Sequence, residues 1–230
     1  MKKCDLLVIE DDPKIRDLIL ETLEPLALQI MTEADGTAGE ARAREYLPAV
    51  IVLDLGLPGQ SGIDLLRKIR PWFKGSVLVV TAWEDEAYKL EAFELGADDY
   101  VQKPFSTKEL LARVRVAIKR VSQPKGADAA SALLKVGDLV IDRTEHRVTV
   151  GDQVASLTQT EFKFLSILAE EEGRLVSQKR LLQEVWGPNH SEDTHYLRIL
   201  VSKLRKKLVV CGSGVVITTE SGLGYRIRSE

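Results

Sequence analysis

Short apolar runs alternate with longer amphipathic segments throughout residues 5–121, and this pattern constrains the fold more than any other feature. The runs are rich in Val, Ile and Leu, which is typical of strands that are buried on both faces. They are Leu6–Ile9, Gln29–Thr32, Val50–Leu53, Val77–Val80 and Tyr100–Val101. Five strand–helix units in series predict a doubly wound α/β domain with a parallel, five-stranded sheet.

Helix start signals follow four of these runs. In each signal a Ser, Thr or Asp side chain is placed to cap free backbone N–H groups. The signals are Asp12-Pro13, Ser61 and two capping-box spacings, Thr37-x-x-Glu40 and Ser106-x-x-Glu109. We therefore expect a helix between each pair of strands.

The pattern changes after residue 121. Residues 122–132 have no apolar period and contain Pro and Gly, which predicts a linker between domains of residues 1–121 and 133–230. The second domain combines strands, three helical segments and a final hairpin, so we expect an α+β winged helix-turn-helix domain. Its predicted elements are Val136–Ile141, Arg147–Val150, helices at roughly 158–172 (capping box Thr158-x-x-Glu161), 177–186 and 193–208, and the hairpin Val215–Thr219 with Tyr225–Arg228.

Composition limits the class of protein. With 44% hydrophobic and 29% charged residues, the chain is neither disordered nor a collagen or coiled-coil rod. No apolar run reaches the roughly 18–20 residues that span a bilayer, and the first run is too short for a signal peptide. Cys4 and Cys211 are far apart, which argues against a disulfide framework or a Cys-based metal site. We expect a reduced, cytoplasmic protein.

Charge is divided unevenly along the chain. Residues 1–121 carry 17 basic and 21 acidic side chains, whereas residues 173–228 carry 10 basic and 4 acidic ones. An acidic first half and a basic end indicate two functions, the second of them near a polyanion such as DNA. A solvated basic surface would give the same count, so charge by itself does not decide between the two.

Charged and hydroxyl side chains stand directly after most of the apolar runs. Ligands bind at the carboxyl ends of parallel strands, so these side chains should meet at one edge of the sheet. They are Glu10, Asp11 and Asp12 after the first run, Asp54 after the third, Thr81 after the fourth and Lys103 after the fifth. Packed carboxylates need a cation, and hard oxygen ligands favour Mg²⁺. A Lys and a Thr beside that cation suit a phosphoryl group, with a carboxylate as the nucleophile that forms an acyl phosphate.

Several of these residues have simpler interpretations. Asp12 before Pro13 is better explained as a helix cap, and Glu10 is compatible with a solvated loop acid. Thr81 alone is only a residue at a strand end. Asp54 has no evident capping role, so it is the preferred phosphoryl acceptor.

Four segments resemble the receiver domain of two-component response regulators, which has a flavodoxin-like fold. They are Ile9–Asp12, Leu53–Pro58, Val80–Ala82 and Gly96–Phe105, and the resemblance covers about residues 4–121. It implies that a sensor histidine kinase phosphorylates Asp54 and that Lys103 contacts the phosphoryl group. It also implies a switch pair, Thr81 with Tyr100, and a cis peptide bond before Pro104.

The resemblance implies a metal site as well. Mg²⁺ would be held by Asp11, Asp54 and the backbone carbonyl of Gly56, with Glu10 as the second acid. Trp83 departs from the family, which commonly has Arg two residues after the switch Thr. Any contact made by that Arg is therefore in doubt here.

The last long helix of the chain carries an apolar stripe on one face and polar side chains on the other. The candidate DNA contacts on its polar face are Thr194, His195, Arg198, Ser202, Lys203, Arg205 and Lys206, and Arg226 is added from the hairpin. Arg198, in mid-helix, is expected to reach a base edge, whereas the basic residues after it are expected to contact phosphates. A solvated amphipathic helix would explain the stripe equally well.

The second domain resembles the winged-helix effector of the OmpR/PhoB class over roughly residues 134–228. The matching segments are Leu157–Leu165, Leu182–Trp186, Leu204–Leu208 and Gly222–Arg226. Within the class, Leu53–Pro58, Trp186–Asn189 and His195–Ile199 are most similar to regulators of Kdp potassium-uptake operons. The resemblance implies promoter DNA and RNA polymerase as partners, and possible control of potassium transport genes.

The class also dimerises on phosphorylation through charged residues of the fourth and fifth receiver helices. The matching residues are Lys89, Asp98, Asp99, Glu109, Arg113 and Arg120. Exposed ion pairs contribute about 0–1 kcal/mol each, so such a set fixes register more than affinity. Glu109 has a competing role in the predicted capping box.

Two other classes of function compete with a DNA-binding regulator. A phosphatase of the haloacid dehalogenase type forms a phosphoaspartate on a similar sheet, but it requires a second Asp where this chain has Gly56. A receiver joined to a protein-binding module is disfavoured by the basic balance of residues 173–228. The absence of a GxxxxGK[ST] loop argues against a nucleotide-hydrolysing enzyme. We therefore expect a regulator rather than an enzyme.

Overall fold

A computed structural model describes residues 4–121, 133–187 and 194–230, without the side chains of residues 119–121. The chain divides into two compact units, Met1–Ser122 and Gln123–Glu230. The predicted linker at 122–132 lies outside the described residues. In the part of the chain that the structure describes, no helix is long and apolar enough to cross a membrane.

The first unit is built on a parallel, five-stranded sheet with the strand order β2-β1-β3-β4-β5. The strands are β1 (Leu6–Ile9), β2 (Ile30–Glu33), β3 (Val50–Leu53), β4 (Ser76–Thr81) and β5 (Asp99–Gln102). All residues of β1, β3 and β4 are buried, because helices cover both faces of the sheet. The predicted doubly wound sheet is confirmed, with β2 beginning one residue later than expected.

Five helices connect and flank these strands. They are α1 (Pro13–Leu23), α2 (Gly36–Tyr46), α3 (Gly62–Ile69), α4 (Glu86–Leu95) and α5 (Thr107–Val121). As predicted, Asp12 and Ser61 are N-caps; the Asp12 carboxylate accepts from the first backbone N–H groups of α1. The capping box predicted at Thr37 is wrong, because Asp35 caps α2 by accepting from the Ala38 N–H.

Helix α5 begins immediately after Ser106, as the sequence predicted. The Glu109 carboxylate, however, accepts hydrogen bonds from Arg113 one turn later, at 2.7 and 3.0 Å. A guanidinium offers a charged partner, which binds a carboxylate more strongly than a neutral backbone N–H. Glu109 therefore stabilises α5 through an ion pair with a residue one turn further along the helix.

The second unit contains two antiparallel sheets and three helices. Its strands are β6 (Leu133–Val136), β7 (Leu139–Asp142), β8 (Arg147–Val150), β9 (Gln153–Ala155), β10 (Val176–Ser177), β11 (Val215–Glu220) and β12 (Gly224–Ser229). Its helices are α6 (Gln159–Glu170), α7 (Gln178–Trp186) and α8 (Thr194–Val210). The expectation of one strand at Val136–Ile141 is wrong, because Gly137 has a φ of +55° and turns the chain between β6 and β7.

Helix α8 packs its apolar stripe against the core of the second unit. Its buried residues are Tyr196, Leu197, Leu200, Val201, Leu204 and Leu208. Helix α6 begins with the predicted capping box, in which Thr158 and Glu161 each bond the backbone of the other. Three helices with a C-terminal hairpin, β11–β12, confirm the predicted winged helix-turn-helix arrangement.

Candidate functional site

Three side chains from the ends of three strands form a buried ionic cluster in the first unit. The Lys103 Nζ lies 2.7 Å from Glu10 Oε2 and 2.7 Å from Asp54 Oδ2. Glu10 follows β1, Asp54 follows β3 and Lys103 follows β5, so the parallel topology brings them together. The exposed fraction of each side chain is below one tenth. One ammonium group therefore serves two carboxylates, which leaves an excess of negative charge.

The proton affinity of Glu10 is set mainly by its burial. Burial raises the pKa of Glu10 to about 7, because a buried carboxylate loses its hydration. The hydrogen bond from Lys103 lowers this pKa, and the negative charge of Asp54 raises it again. The cluster therefore favours an added positive charge near neutral pH.

Asp11 completes a set of three carboxylates that could hold a cation. One oxygen from each of Glu10, Asp11 and Asp54 lies within 4.8 Å of the others. Such hard oxygen ligands suit a divalent ion. Gly56 borders the same site, because its backbone N–H donates to Asp54 Oδ1 at 3.1 Å. The donor set thus fits the predicted metal chemistry.

Thr81 and Tyr100 are both hydrogen-bonded to Trp83. The Trp83 backbone N–H donates to Thr81 Oγ1 at 3.4 Å, and the Tyr100 hydroxyl donates to the Trp83 carbonyl at 2.6 Å. Both predicted switch residues are buried. Burial raises the pKa of Tyr100 to about 12, so the phenol keeps its proton and remains a donor. The Lys103-Pro104 peptide bond is cis, as the resemblance implied.

The expected position of Asp98 on a dimer surface is wrong. Its side chain is 1% exposed, forms an ion pair with Arg70 and accepts the Val77 N–H at 2.9 Å. Arg70 also donates to the carbonyl oxygens of Phe73, Gly75 and Gly96. A buried charge must be paired, and here the pairing is intramolecular.

The other described residues of the predicted dimer face make contacts within their own unit. The Arg113 guanidinium lies 2.9 Å from Asp99 Oδ1 and 2.7 Å from Glu109 Oε1. The Lys89 Nζ lies 5.6 Å from the centre of the Tyr100 ring in β5. The side chain of Arg120 lies outside the described residues.

In the second unit, the polar face of α8 carries the predicted DNA contacts. Of these, His195, Arg198, Ser202, Arg205 and Lys206 are exposed, and Thr194 and Lys203 are half-buried. Arg198 and Arg205 line a cleft together with Thr219 and Ser221 of the hairpin segment. The helix and the hairpin therefore contribute to one basic surface.

Two arginines predicted to contact DNA also hold the hairpin in place. Arg205 Nε donates to the Ile217 carbonyl at 2.8 Å, and its Nη2 donates to Thr219 Oγ1 at 2.8 Å. Arg226 Nη1 donates to the Gly173 carbonyl at 2.7 Å. These bonds connect β11 to α8 and β12 to the turn after α6, which the sequence did not predict.

Three supporting side chains were missed by sequence reasoning. Arg16 donates to the Glu10 carbonyl at 2.8 Å and so holds the loop that carries Glu10 and Asp11. The Lys207 Nζ lies 2.6 Å from the buried Glu161 carboxylate and connects α8 to α6. Arg70 is the third. The acidic partners of Arg70 and Lys207 lie 28 and 46 residues away, so no local pattern distinguishes these two residues from ordinary surface cations.

Known proteins match both units. Residues 6–115 match the family model "Response regulator receiver domain", and residues 152–227 match "Transcriptional regulatory protein, C terminal". The chain is 38% identical to the "Transcriptional regulatory protein KdpE" of Mycobacterium tuberculosis, with 97% of this chain and 99% of the relative covered. It is 37% identical to KdpE of Escherichia coli, with 96% and 98% covered. It is 36% identical to the "Phosphate regulon transcriptional regulatory protein PhoB" of Rhizobium meliloti, with 97% and 98% covered.

Solved structures agree with these matches. The crystal structure of DrrB, described as a Thermotoga maritima OmpR/PhoB homologue, is 30% identical with a TM-score of 0.51. That comparison covers 99% of this chain and 100% of DrrB. A mutant of RitR has a TM-score of 0.75 at 22% identity, over all of both chains, and supports the fold alone.

A receiver sheet with an acidic site, followed by a winged-helix domain, defines a DNA-binding response regulator of a two-component system. The chain belongs to this family, in its OmpR/PhoB class. Such proteins are transcription regulators that work with a histidine kinase and promoter DNA.

Proposed function

We propose that phosphorylation of Asp54 activates this regulator and that the second unit then binds promoter DNA through α8 and the β11–β12 hairpin. The observation that carries the proposal is the contact of Lys103 with Asp54 in a buried cluster at the carboxyl end of the sheet. The contact places an ammonium group where the charge of a transferred phosphoryl group would develop. A cytoplasmic location belongs to the same proposal.

The reaction follows from the groups around Asp54. A carboxylate oxygen of Asp54 attacks the phosphorus of the kinase phosphohistidine, the P–N bond breaks and an acyl phosphate forms. Lys103 is close enough to Asp54 to move from the carboxylate to a phosphoryl oxygen. Thr81, at the end of β4, would offer its hydroxyl to another phosphoryl oxygen.

The carboxylate set supports a metal in the same site. Asp11, Asp54 and the carbonyl oxygen of Gly56 would hold Mg²⁺, and Glu10 would add a second negative charge beside it. The ion supplies positive charge that offsets the phosphoryl oxygens. Burial raises the pKa of Glu10, and a cation beside this carboxylate would offset the cost of burying its charge.

Replacing Asp54 by Asn should abolish phosphorylation, because the amide oxygen is a poor nucleophile. The full chain is incubated with acetyl phosphate and Mg²⁺, and a hydroxylamine-labile phosphate is measured by mass spectrometry. Asp12→Asn is the matched control; Asp12 caps α1, and Asn is an equally good cap. A labile phosphate that persists in Asp54→Asn would refute the assignment.

The proposed activation passes through Thr81 and Tyr100. A Thr81 hydroxyl drawn to the phosphoryl group would give up its contact with Trp83, to which Tyr100 is bonded. The change would reach the surface of α4, β5 and α5 and promote a homodimer. The residues proposed for that interface are Lys89, Asp99, Glu109, Arg113 and Arg120, which would have to exchange intramolecular for intermolecular partners.

The proposed partners are a sensor histidine kinase, promoter DNA and RNA polymerase. The two KdpE relatives support a regulon that includes potassium transport genes. The PhoB relative, whose name refers to a phosphate regulon, is nearly as similar at 36% identity. Binding of the purified protein to the promoters of potassium and phosphate transport genes tests this assignment.

In DNA binding, Arg198 is expected to read sequence and Lys206 to hold the backbone. Arg198→Ala should cost about 1–3 kcal/mol on the cognate site and little on random DNA, because only a base contact depends on sequence. Lys206→Ala should weaken both about equally and lower the salt slope by about one unit. Binding is measured on both duplexes over a salt series. If Arg198→Ala loses the same affinity on both duplexes, Arg198 contacts the DNA backbone and not a base.

A further inference from the structure

The loop between β1 and α1 consists of three consecutive acids, Glu10, Asp11 and Asp12. Both ends of this loop are fixed by bonds to neighbouring elements. The Glu10 N–H donates to the Glu33 carbonyl at 3.0 Å, and the Asp12 carboxylate caps α1. Adjacent negative charges repel one another, so the middle of the loop needs further support to keep its carboxylates in place.

Arg16, near the start of α1, gives this support from the backbone side of the loop. Its Nη1 donates to the Glu10 carbonyl at 2.8 Å and reaches the Asp11 carbonyl at 3.5 Å. The Arg16 backbone N–H also donates to the Asp12 carbonyl at 2.9 Å. Because the guanidinium binds carbonyl oxygens, the carboxylates of Glu10 and Asp11 remain available to a cation. One oxygen of each lies within 4.8 Å of an Asp54 oxygen.

We propose that Arg16 is a positioning residue of the metal site and that it makes the site selective for Mg²⁺ over Ca²⁺. The inference rests on the proposed metal site at Asp11 and Asp54. Mg²⁺ requires near-ideal octahedral geometry at about 2.0–2.1 Å, whereas Ca²⁺ accepts flexible geometry at about 2.3–2.6 Å. A loop held by a guanidinium keeps its carboxylates in one place, which suits the smaller ion. A loop without this support would adapt to the larger ion.

The sign of the effect separates positioning from simple electrostatics. Arg16→Met removes a positive charge near a cation site, and the loss of Coulomb repulsion alone would make Mg²⁺ bind more tightly. Loss of positioning should instead weaken Mg²⁺ binding about tenfold, since removing a residue that orients a metal ligand typically costs about 10–100-fold in affinity. The affinity for Ca²⁺ should fall by less than about threefold, because Ca²⁺ tolerates mobile ligands. Arg16→Lys keeps the charge and a donor of similar reach, so its affinity for Mg²⁺ should be intermediate.

The experiment titrates the full chain with MgCl₂ and separately with CaCl₂, at pH 8 and constant ionic strength, and follows tryptophan fluorescence. Trp83 is a suitable reporter, because a Cβ built on Gly56 would lie 3.9 Å from its Nε1 and 3.7 Å from an Asp54 carboxylate oxygen. Trp83→Phe identifies the signal of this ring. Lys14→Met is the matched control, since Lys14 is an exposed cation on the same helix, two residues before Arg16. This variant should bind Mg²⁺ at least as tightly as the unchanged protein.

The possible results separate this inference from the proposal on which it rests. If the unchanged protein binds neither ion, the proposed metal site itself fails. If Arg16→Met binds Mg²⁺ as tightly as the unchanged protein, or more tightly, Arg16 does not position the site. If the affinities for both ions fall by the same factor, the loss is general and the proposed selectivity is wrong. Should Arg16→Met not fold, Arg16→Lys tests the same point through the ratio of its Mg²⁺ and Ca²⁺ affinities.

Discussion

Replacing Arg70 by Met should lower the free energy of unfolding of the first unit by about 3–5 kcal/mol, the usual cost of removing one partner of a buried ion pair. Arg70 is 8% exposed and its partner Asp98 is 1% exposed. The change removes the ion pair with Asp98, whose carboxylate still accepts a hydrogen bond from the Val77 N–H. It also removes the donor to three carbonyl oxygens, at 2.7 to 3.0 Å.

The matched control for this change lies one turn earlier, in α3, whose C-terminal end is followed directly by Arg70. Arg67 pairs with Asp64 and Glu91, but the exposed fractions of these side chains are 52%, 55% and 41%. Arg67→Met should therefore cost only about 0–1 kcal/mol. Urea unfolding of the full chain, with hydrogen exchange followed in β3 and β4, measures both variants. Equal small losses for the two variants would show that the buried pair contributes little.

Replacing Glu10 by Gln should stabilise the metal-free protein above pH 7, by up to about 3 kcal/mol. Burial raises the pKa of Glu10 to about 7 in the folded protein, against an ordinary value of 4.5. Between pH 4.5 and about pH 7, Glu10 holds its proton more tightly in the folded state than in the unfolded state. Stability therefore falls as the pH rises from about 4.5 to 7, and the full cost is present above pH 7. Gln carries no charge and avoids this cost.

The measurement compares the free energy of unfolding of both proteins at pH 5 and pH 8, with EDTA to remove divalent cations. The stabilisation should be large at pH 8 and small at pH 5, where Glu10 is already protonated in the folded state. Glu94→Gln, an exposed carboxylate on α4, is the control and should change stability little at either pH. If Glu10→Gln destabilises the protein at pH 8, the ion pair with Lys103 outweighs the burial of Glu10.

The sequence by itself determined the order of strands and helices in the first unit and the members of its acidic site. Runs such as Leu6–Ile9 and Val50–Leu53 are apolar throughout, a pattern that is typical of short strands covered on both faces. A parallel sheet places the ends of such strands at one edge. For this reason the meeting of Glu10, Asp54 and Lys103 could be predicted without coordinates.

The tertiary structure decided which charged side chains are internal. Asp98 and Asp99 are adjacent acids in the sequence, yet Asp98 pairs with Arg70 and Asp99 with Arg113. Helix starts show the same limit, since Asp35 and not Thr37 caps α2. A local sequence pattern shows the propensity and periodicity of a segment, but it does not show which distant residue will pair with a charge. The partner of Asp98 lies 28 residues away, and the partner of Asp99 lies 14 residues away.

The same reason explains the position of Trp83 and the double role of Arg205. The sequence marked Trp83 only as a departure from its family, and the fold placed its indole opposite Asp54 across the space above Gly56. Arg205 lies on the polar face of α8, where a DNA contact was predicted, but in the folded chain its guanidinium donates a hydrogen bond to the carbonyl of Ile217. Strand ends are fixed by local patterns of burial, but the direction of a side chain depends on neighbours that only the folded chain supplies.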